Sequence, residues 1–120
     1  MDDGLDEVVL NLAGIQKAIL TELERLEGLV DEIRLAGHTA AEAEVAYKTA
    51  NAVARLQAKA LGKVTEASAQ DSADVQCEEL RLQHLLKANN LTVIREALRA
   101  SQARLDGLRT LASGFKIAGG

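Results

Sequence analysis

Residues 91–115 have the sequence LTVIREALRASQARLDGLRTLASGF, which carries the most regular apolar repeat of the chain. Apolar or small side chains recur there at alternating steps of three and four residues. The positions are Leu91, Ile94, Leu98, Ser101, Leu105, Leu108, Ala112 and Phe115. This spacing is the heptad of a coiled coil, so it predicts a long helix that packs one face against another helix.

The composition of the whole chain also favours long helices. Ala, Leu, Glu, Gln, Lys and Arg dominate the 120 residues, proline is absent, and the aromatic residues are one Tyr and one Phe. We predict a single all-α domain, residues 1–120, with three long helices at about residues 4–36, 39–61 and 71–113. The first two are expected to form an antiparallel helical hairpin, and the third to be a long, coiled-coil-like C-terminal helix.

Capping residues set these predicted boundaries. Asp3 can cap the first helix, and Gly37 is a natural residue for its end. Thr39-Ala40-Ala41-Glu42 has the pattern of a capping box, which predicts the start of a second, alanine-rich helix that Gly62 ends. The pair Asn89-Asn90 lies where the apolar phase of the third helix changes, so either a kink or a continuous helix is compatible with the sequence.

The first predicted helix has an apolar seam of its own. Its members are Leu5, Val8, Leu12, Ile15, Ile19, Leu23, Leu26, Val30 and Ile33. Charge is divided unevenly along the chain: residues 1–44 carry eleven acids against three bases, a net charge of −8, whereas residues 80–120 carry a net charge of +5. Such a division favours helices that dock acidic face to basic face, within one chain or between copies.

Other features limit the class of protein. One cysteine, Cys77, rules out an internal disulfide and fits a reducing compartment. The N-terminal residues have no signal-peptide pattern, and the longest run of large aliphatic residues is Val8-Val9-Leu10, so we expect a cytoplasmic protein without a membrane span.

No catalytic motif is present, and we predict that the protein is not an enzyme. Cys77 and His84 are two helical turns apart, about 10 Å along the axis, which is too far for a thiol–imidazole pair. Phosphate-binding loops and metal-ligand spacings are also absent from the sequence, so we expect neither a cofactor nor a metal ion.

A basic stripe on the second predicted helix is the sharpest functional signal. Lys48, Arg55, Lys59 and Lys63 share one helical face, and no acid lies between Glu44 and Glu66. Such a row of cations can follow a phosphodiester backbone by charge alone. Alternatively, it is a solvated face or pairs with the acidic first helix. The third predicted helix adds further cations, Arg95, Arg99 and Arg109.

At this stripe the chain resembles the UvsY-like recombination mediators of bacteriophages. Val53-Ala54-Arg55-Leu56 is similar to the Lys-Ala-Arg-Leu segment of that family's DNA-binding helix, with Val53 in place of the lysine. Residues 91–117 are similar to its apolar last helix. The resemblance implies a small helical protein that forms ring-like oligomers, binds single-stranded DNA and helps to load a RecA-like recombinase.

Three functions follow as hypotheses. The leading one is a non-catalytic accessory protein of phage-type DNA recombination that binds single-stranded DNA through the stripe as a homo-oligomer. The residues expected to form the oligomer are Leu91, Ile94, Leu98, Leu105, Leu108 and Phe115. The alternative is a helical protein-binding module, such as a phage inhibitor or adaptor of a host or defence protein, that uses its acidic first helix. The third is a purely structural coiled-coil component.

Overall fold

The computed structural model describes residues 11–62 and 65–118, with side chains described to residue 115. This part of the chain forms three α-helices and no strand: α1 (Leu12–Ala60), α2 (Glu66–Gln76) and α3 (Glu78–Ala118). The predicted all-α fold of three helices is confirmed. The helix boundaries differ from the predicted ones, because α1 is much longer than expected and α2 is only 11 residues long.

Asn11 caps α1 at the start of the described chain. Its side-chain oxygen accepts a hydrogen bond from the backbone N–H of Gly14 at 2.7 Å, which satisfies one of the unpaired donors of the first turn. The cap predicted at Asp3 and the first two seam positions, Leu5 and Val8, lie outside the described residues.

The helix break predicted at residues 37–39 is wrong, since α1 continues through it for 49 residues in all. Gly37 keeps a helical backbone, and the Thr39 hydroxyl donates to the carbonyl of Leu35 at 3.0 Å instead of capping a new helix. Ala36 and Ala40 are buried on either side of Gly37. Their burial on one continuous face outweighs the cap preferences, which are worth only about 1 kcal/mol.

α1 ends at Ala60, close to the helix end predicted from Gly62, and the chain reverses there. Leu61 and Gly62 donate backbone hydrogen bonds to the carbonyls of Gln57 and Lys59, and Gly62 has a φ of 115°. Thr65 then caps α2, because its hydroxyl oxygen accepts from the N–H of Ser68 at 3.1 Å. The helix expected to begin near residue 71 therefore begins at Glu66.

Cys77 separates α2 from α3, which were predicted as one helix. Its φ of −104° and ψ of 18° lie outside the helical region, yet its N–H still donates to the carbonyl of Ala73. Beyond this junction α3 is one continuous helix through Asn89 and Asn90, so the sequence change there produces no break.

The chain divides into two compact units, and α1 and α3 each contribute to both. Unit 1 is Met1–Ile33 with Ile94–Gly120, and unit 2 is Arg34–Val93. In unit 2, Asn51 donates a hydrogen bond to Asp74, and Tyr47 stacks on His84. The earlier residue of α1 thus meets the later residue of the α2–α3 segment, so the two segments run antiparallel. Within unit 2 this is an antiparallel hairpin whose arms are the unit's part of α1 and the α2–α3 segment. The predicted pairing of residues 4–36 with residues 39–61 is wrong, because both stretches belong to the single helix α1.

Each unit buries a narrow seam. In unit 1 the buried residues include Ile15, Ser101 and Leu105. In unit 2, Ala54, Ala73 and Cys77 form a buried cluster against which Tyr47 and Ala50 pack. Small side chains allow close approach of the helices, which explains why the alanine-rich part of α1 lies in this unit. The seam predicted for the first helix is displaced in part, since Val30 is exposed.

Candidate functional site

Two cations of the predicted stripe, here called the α1 stripe (Lys48, Arg55, Lys59 and Lys63), form ion pairs with the chain's own acids. The Lys48 ammonium lies 2.7 Å from Glu44 Oε1, one helical turn away. Lys59 pairs with Glu66, which α2 places beside it after the reversal. Lys63 lies outside the described residues. Glu44 and Glu66, which lie on either side of the acid-free interval in the sequence, therefore neutralise these two lysines.

These ion pairs change the acidity of both carboxyl groups. A hydrogen bond from Lys48, followed by its positive charge, lowers the pKa of Glu44. Glu66 has a lowered pKa for the same reasons, first the hydrogen bond from Lys59, with a smaller contribution from the charge of Arg55. Both carboxylates are therefore held in the ionised form, which keeps their lysines paired.

Arg55 is held differently from the two lysines. Its side chain is half-buried, and its Nε is shielded from solvent without a hydrogen-bond partner among the described residues. A guanidinium in this position has only part of its fork free for an external ligand. The described members of the α1 stripe are thus two paired lysines and one half-buried arginine.

Most cations of α3 in unit 1, unlike the described lysines of the α1 stripe, form no ion pair with a described residue. Arg95, Arg99 and Arg109 are exposed, and none of them forms an ion pair with a described residue. Arg104, on another face of the same helix, instead approaches Glu22 of α1, with 3.4 Å between Nε and Oε1. Arg95, Arg99 and Arg109 are therefore both open to solvent and without an ion-pair partner among the described residues of unit 1.

Glu22 forms a buried polar cluster that the sequence analysis did not identify. Its carboxylate accepts a hydrogen bond from the fully buried Ser101 hydroxyl, and the Arg25 Nε lies 3.6 Å from Oε2. In the sequence, Glu22 is one of the eleven acids of residues 1–44. Its position seven residues after the buried Ile15, at the same point of the heptad, is the signal that could have placed it in the seam.

The heptad face of α3 packs within the chain itself. Leu105 is buried, Leu91, Ile94, Leu98 and Leu108 are half-buried, and Phe115 is 38% exposed. The predicted helix-packing face is thus present in the fold. That the same residues also join copies of the chain stays a prediction.

Cys77 and His84 have separate structural roles. The Cys77 thiol is buried against Ala54 and Ala73, while the His84 ring stacks on Tyr47 with centroids 5.7 Å apart and planes 14° from parallel. Among the described residues, no group of three or more His, Cys, Asp or Glu is placed to hold a metal ion.

Open grooves lie on the surface of each unit. One in unit 2 is lined by Val75, Leu82 and Leu85 together with the charged Glu78, Glu79 and Arg81. Another, in unit 1, runs along α1 beside Leu23, Leu26 and Val30. Both are open to solvent, so they suit contact with an extended partner better than enclosure of a small substrate.

Comparison with protein-family models, curated proteins and solved structures gives no match to this chain. None of the described helices combines the length and the apolarity needed to cross a membrane.

Proposed function

We propose that the chain is a non-catalytic accessory protein of phage-type DNA recombination, which binds single-stranded DNA by charge and acts as a homo-oligomer. The observation that supports this is the placement of its cations on open helix surface. Lys48 and Lys59 have side chains 67% and 42% exposed, and Arg95, Arg99 and Arg109 are also exposed. Within each unit, a flexible polyanion can reach these side chains without any change in the helices.

Binding of this kind depends on salt and tolerates any base sequence. Each phosphate that a cation neutralises releases condensed counterions, so affinity falls as salt concentration rises. Base stacking contributes little, because the Tyr47 ring is already stacked on His84. Phosphates reach Lys48 and Lys59 only in exchange for Glu44 and Glu66. Because a surface ion pair is worth up to about 1 kcal/mol, these two lysines add less to binding than unpaired cations do.

Fluorescence anisotropy with a labelled single-stranded oligonucleotide tests the proposal. We expect binding at about 50 mM salt that weakens at least tenfold at about 200 mM, as release of several counterions requires. A mixed-sequence oligonucleotide and oligo-dT should bind alike. Absence of binding at the lower salt concentration would overturn the proposal.

A second candidate function, a helical protein-binding module, is favoured by the exposed acids of α1. Glu24, Glu27 and Glu32 are exposed and form no ion pair with a described residue, and Glu27 borders the apolar groove of Leu23, Leu26 and Val30. An acidic rim beside an apolar groove suits a basic amphipathic helix of another protein.

Capture from host lysate with a matched charge variant tests this second function. The unchanged chain should retain one stoichiometric partner protein, and Glu24→Lys with Glu27→Lys should lose it, because reversal repels a basic helix. Glu42→Lys, on α1 but in unit 2, is the control and should retain the partner. Equal retention by all three forms would exclude the acidic rim as the binding surface.

A further inference from the structure

One face of α3 in unit 1 is basic, polar and unpartnered. It contains Arg95, Arg99, Gln102 and Arg109, all exposed, and we call it the α3 arginine face. At 3.6 residues per turn the three arginines fall within about 80° of the helix circumference, with axial separations of about 6 and 15 Å. Asp106 shares the face, which leaves it two positive charges in excess.

We infer that the α3 arginine face, rather than the α1 stripe, is the principal contact for the phosphates of single-stranded DNA. This inference rests on the proposed function and assigns it a surface. A phosphate that approaches Lys48 or Lys59 must first displace Glu44 or Glu66, which are held by direct hydrogen bonds. Arg95, Arg99 and Arg109 form no such pair with a described residue.

The composition of the face favours a polyanion over a protein surface. Between Ile94 and Thr110 no large apolar side chain is exposed, and the leucines of this segment are buried or half-buried on the heptad face of α3. Protein interfaces have a buried apolar core, which this face lacks. Arginine and glutamine supply the planar and bidentate donors that phosphate oxygens accept.

Arginine also suits the role because its charge does not depend on its surroundings. A guanidinium stays protonated at any working pH, and its fork can bind one phosphate through two N–H groups. The half-buried Arg55 of the α1 stripe has part of that fork covered, whereas Arg95, Arg99 and Arg109 present theirs to solvent.

The decisive experiment compares two variants with the same loss of charge. In the test variant Arg95, Arg99 and Arg109 are each replaced by Gln; in the control variant Lys48, Lys59 and Lys63 are replaced by Gln. Glutamine favours helix, so both should keep the helical circular dichroism of the unchanged chain. Binding of labelled oligo-dT is measured by anisotropy over a series of salt concentrations.

The test variant should bind at least about tenfold more weakly at ~50 mM salt, and its log–log salt slope should be smaller by about 2, as expected for three lost phosphate contacts. The control variant should change by less than about threefold, since its two described lysines are paired. An equal or larger loss in the control variant would overturn the inference while leaving the proposed function standing.

Two further outcomes separate the remaining explanations. If the unchanged chain does not bind oligo-dT at all, the proposed function fails and this inference fails with it. If poly-L-glutamate displaces the chain's bound oligo-dT as effectively as poly-dT of equal charge, the face recognises acidic protein and the assignment to DNA is overturned. Displacement by poly-dT alone supports the assignment.

Discussion

Glu22 places a carboxylate inside a helix–helix seam, at a heptad position that ordinarily carries an apolar side chain. A buried charge is tolerated only when hydrogen bonds and opposite charges compensate for lost hydration. The Ser101 hydroxyl supplies the hydrogen bond, and Arg25 and Arg104 supply the charges. Because all of these groups must meet at one point, the cluster fixes the axial register of α1 against α3 in unit 1.

Removal of this carboxylate should therefore be costly. We expect Glu22→Ala to lower the free energy of unfolding by about 1–3 kcal/mol, because it leaves the buried Ser101 hydroxyl without its acceptor. Urea denaturation followed by circular dichroism measures the change. Glu24→Ala, at an exposed position, is the control and should stay within about 0.5 kcal/mol of the unchanged chain. Equal effects from both substitutions would contradict the role of the cluster.

Lys48 sets the ionisation of Glu44, and its removal should be visible in a titration. We expect Lys48→Ala to raise the pKa of Glu44 toward the ordinary value of 4.5, as measured by the carbon-13 shift of its carboxyl group. A carboxyl group with a lowered folded-state pKa stabilises the fold above pH 4.5, and the effect is lost as pH falls through the folded-state pKa. The Lys48→Ala chain should therefore lose this contribution, and its stability should converge with that of the unchanged chain in acid. An unaltered titration of Glu44 would contradict the ion pair.

At the scale of the helices, two glycines that were both predicted to end a helix have different backbone conformations. Gly37 lies within the continuous α1, and Gly62 has a φ of 115° at the reversal. A Cβ atom added at either position meets no atom within 4 Å, so only the backbone distinguishes them. A side chain is disfavoured at Gly62 and is readily accommodated at Gly37.

Alanine substitutions at the two glycines should change the free energy of unfolding in opposite directions. Gly37→Ala should raise the free energy of unfolding by about 0.5–1 kcal/mol, because alanine is a better helix former. Gly62→Ala should lower it by about 1–2 kcal/mol, because a left-handed backbone strains a residue with a Cβ atom. Thermal denaturation of both variants measures the difference. Destabilisation by Gly37→Ala would indicate that α1 is interrupted there after all.

Local sequence patterns predicted the helices better than their ends. The period-seven repeat of residues 91–112 fixed the packing face of α3, since this signal depends on many residues at once. The capping box at Thr39 was misleading, because a cap contributes less than the buried face that runs through Ala36 and Ala40. Ser101, which donates to Glu22, and Glu66, which pairs with Lys59, lie on another helix, so neither contact could be predicted before the place of reversal was known.

For the whole molecule, unit 2 has features that favour association of copies. It contains seven acids and seven bases, so two copies do not repel each other through net charge. Large apolar side chains remain exposed on both arms of this unit. They include Val45, Val53 and Leu56 on α1, and Leu82, Leu86 and Val93 on α3. Large exposed apolar surface is typical of interfaces in oligomers.

The predicted homo-oligomer can be tested through these residues. We expect light scattering after size-exclusion chromatography to give a mass above the monomer value of 12.8 kDa. Leu56→Glu with Leu86→Glu should reduce that mass, because a charge in an apolar interface must be desolvated. Gln57→Glu adds a charge at an exposed polar position and serves as the control. A monomeric mass for the unchanged chain would exclude the homo-oligomer and, with it, the structural coiled-coil hypothesis.

The stacking of Tyr47 on His84 provides an optical probe for one half of the molecule. Tyr47 is the single tyrosine of a chain without tryptophan, and both rings belong to unit 2. Its fluorescence therefore reports the melting of unit 2, while far-ultraviolet circular dichroism reports all the helices together. Coincident curves would mean that the two units unfold cooperatively, and separate curves that each melts by itself. The chain can thus be followed unit by unit without any attached label.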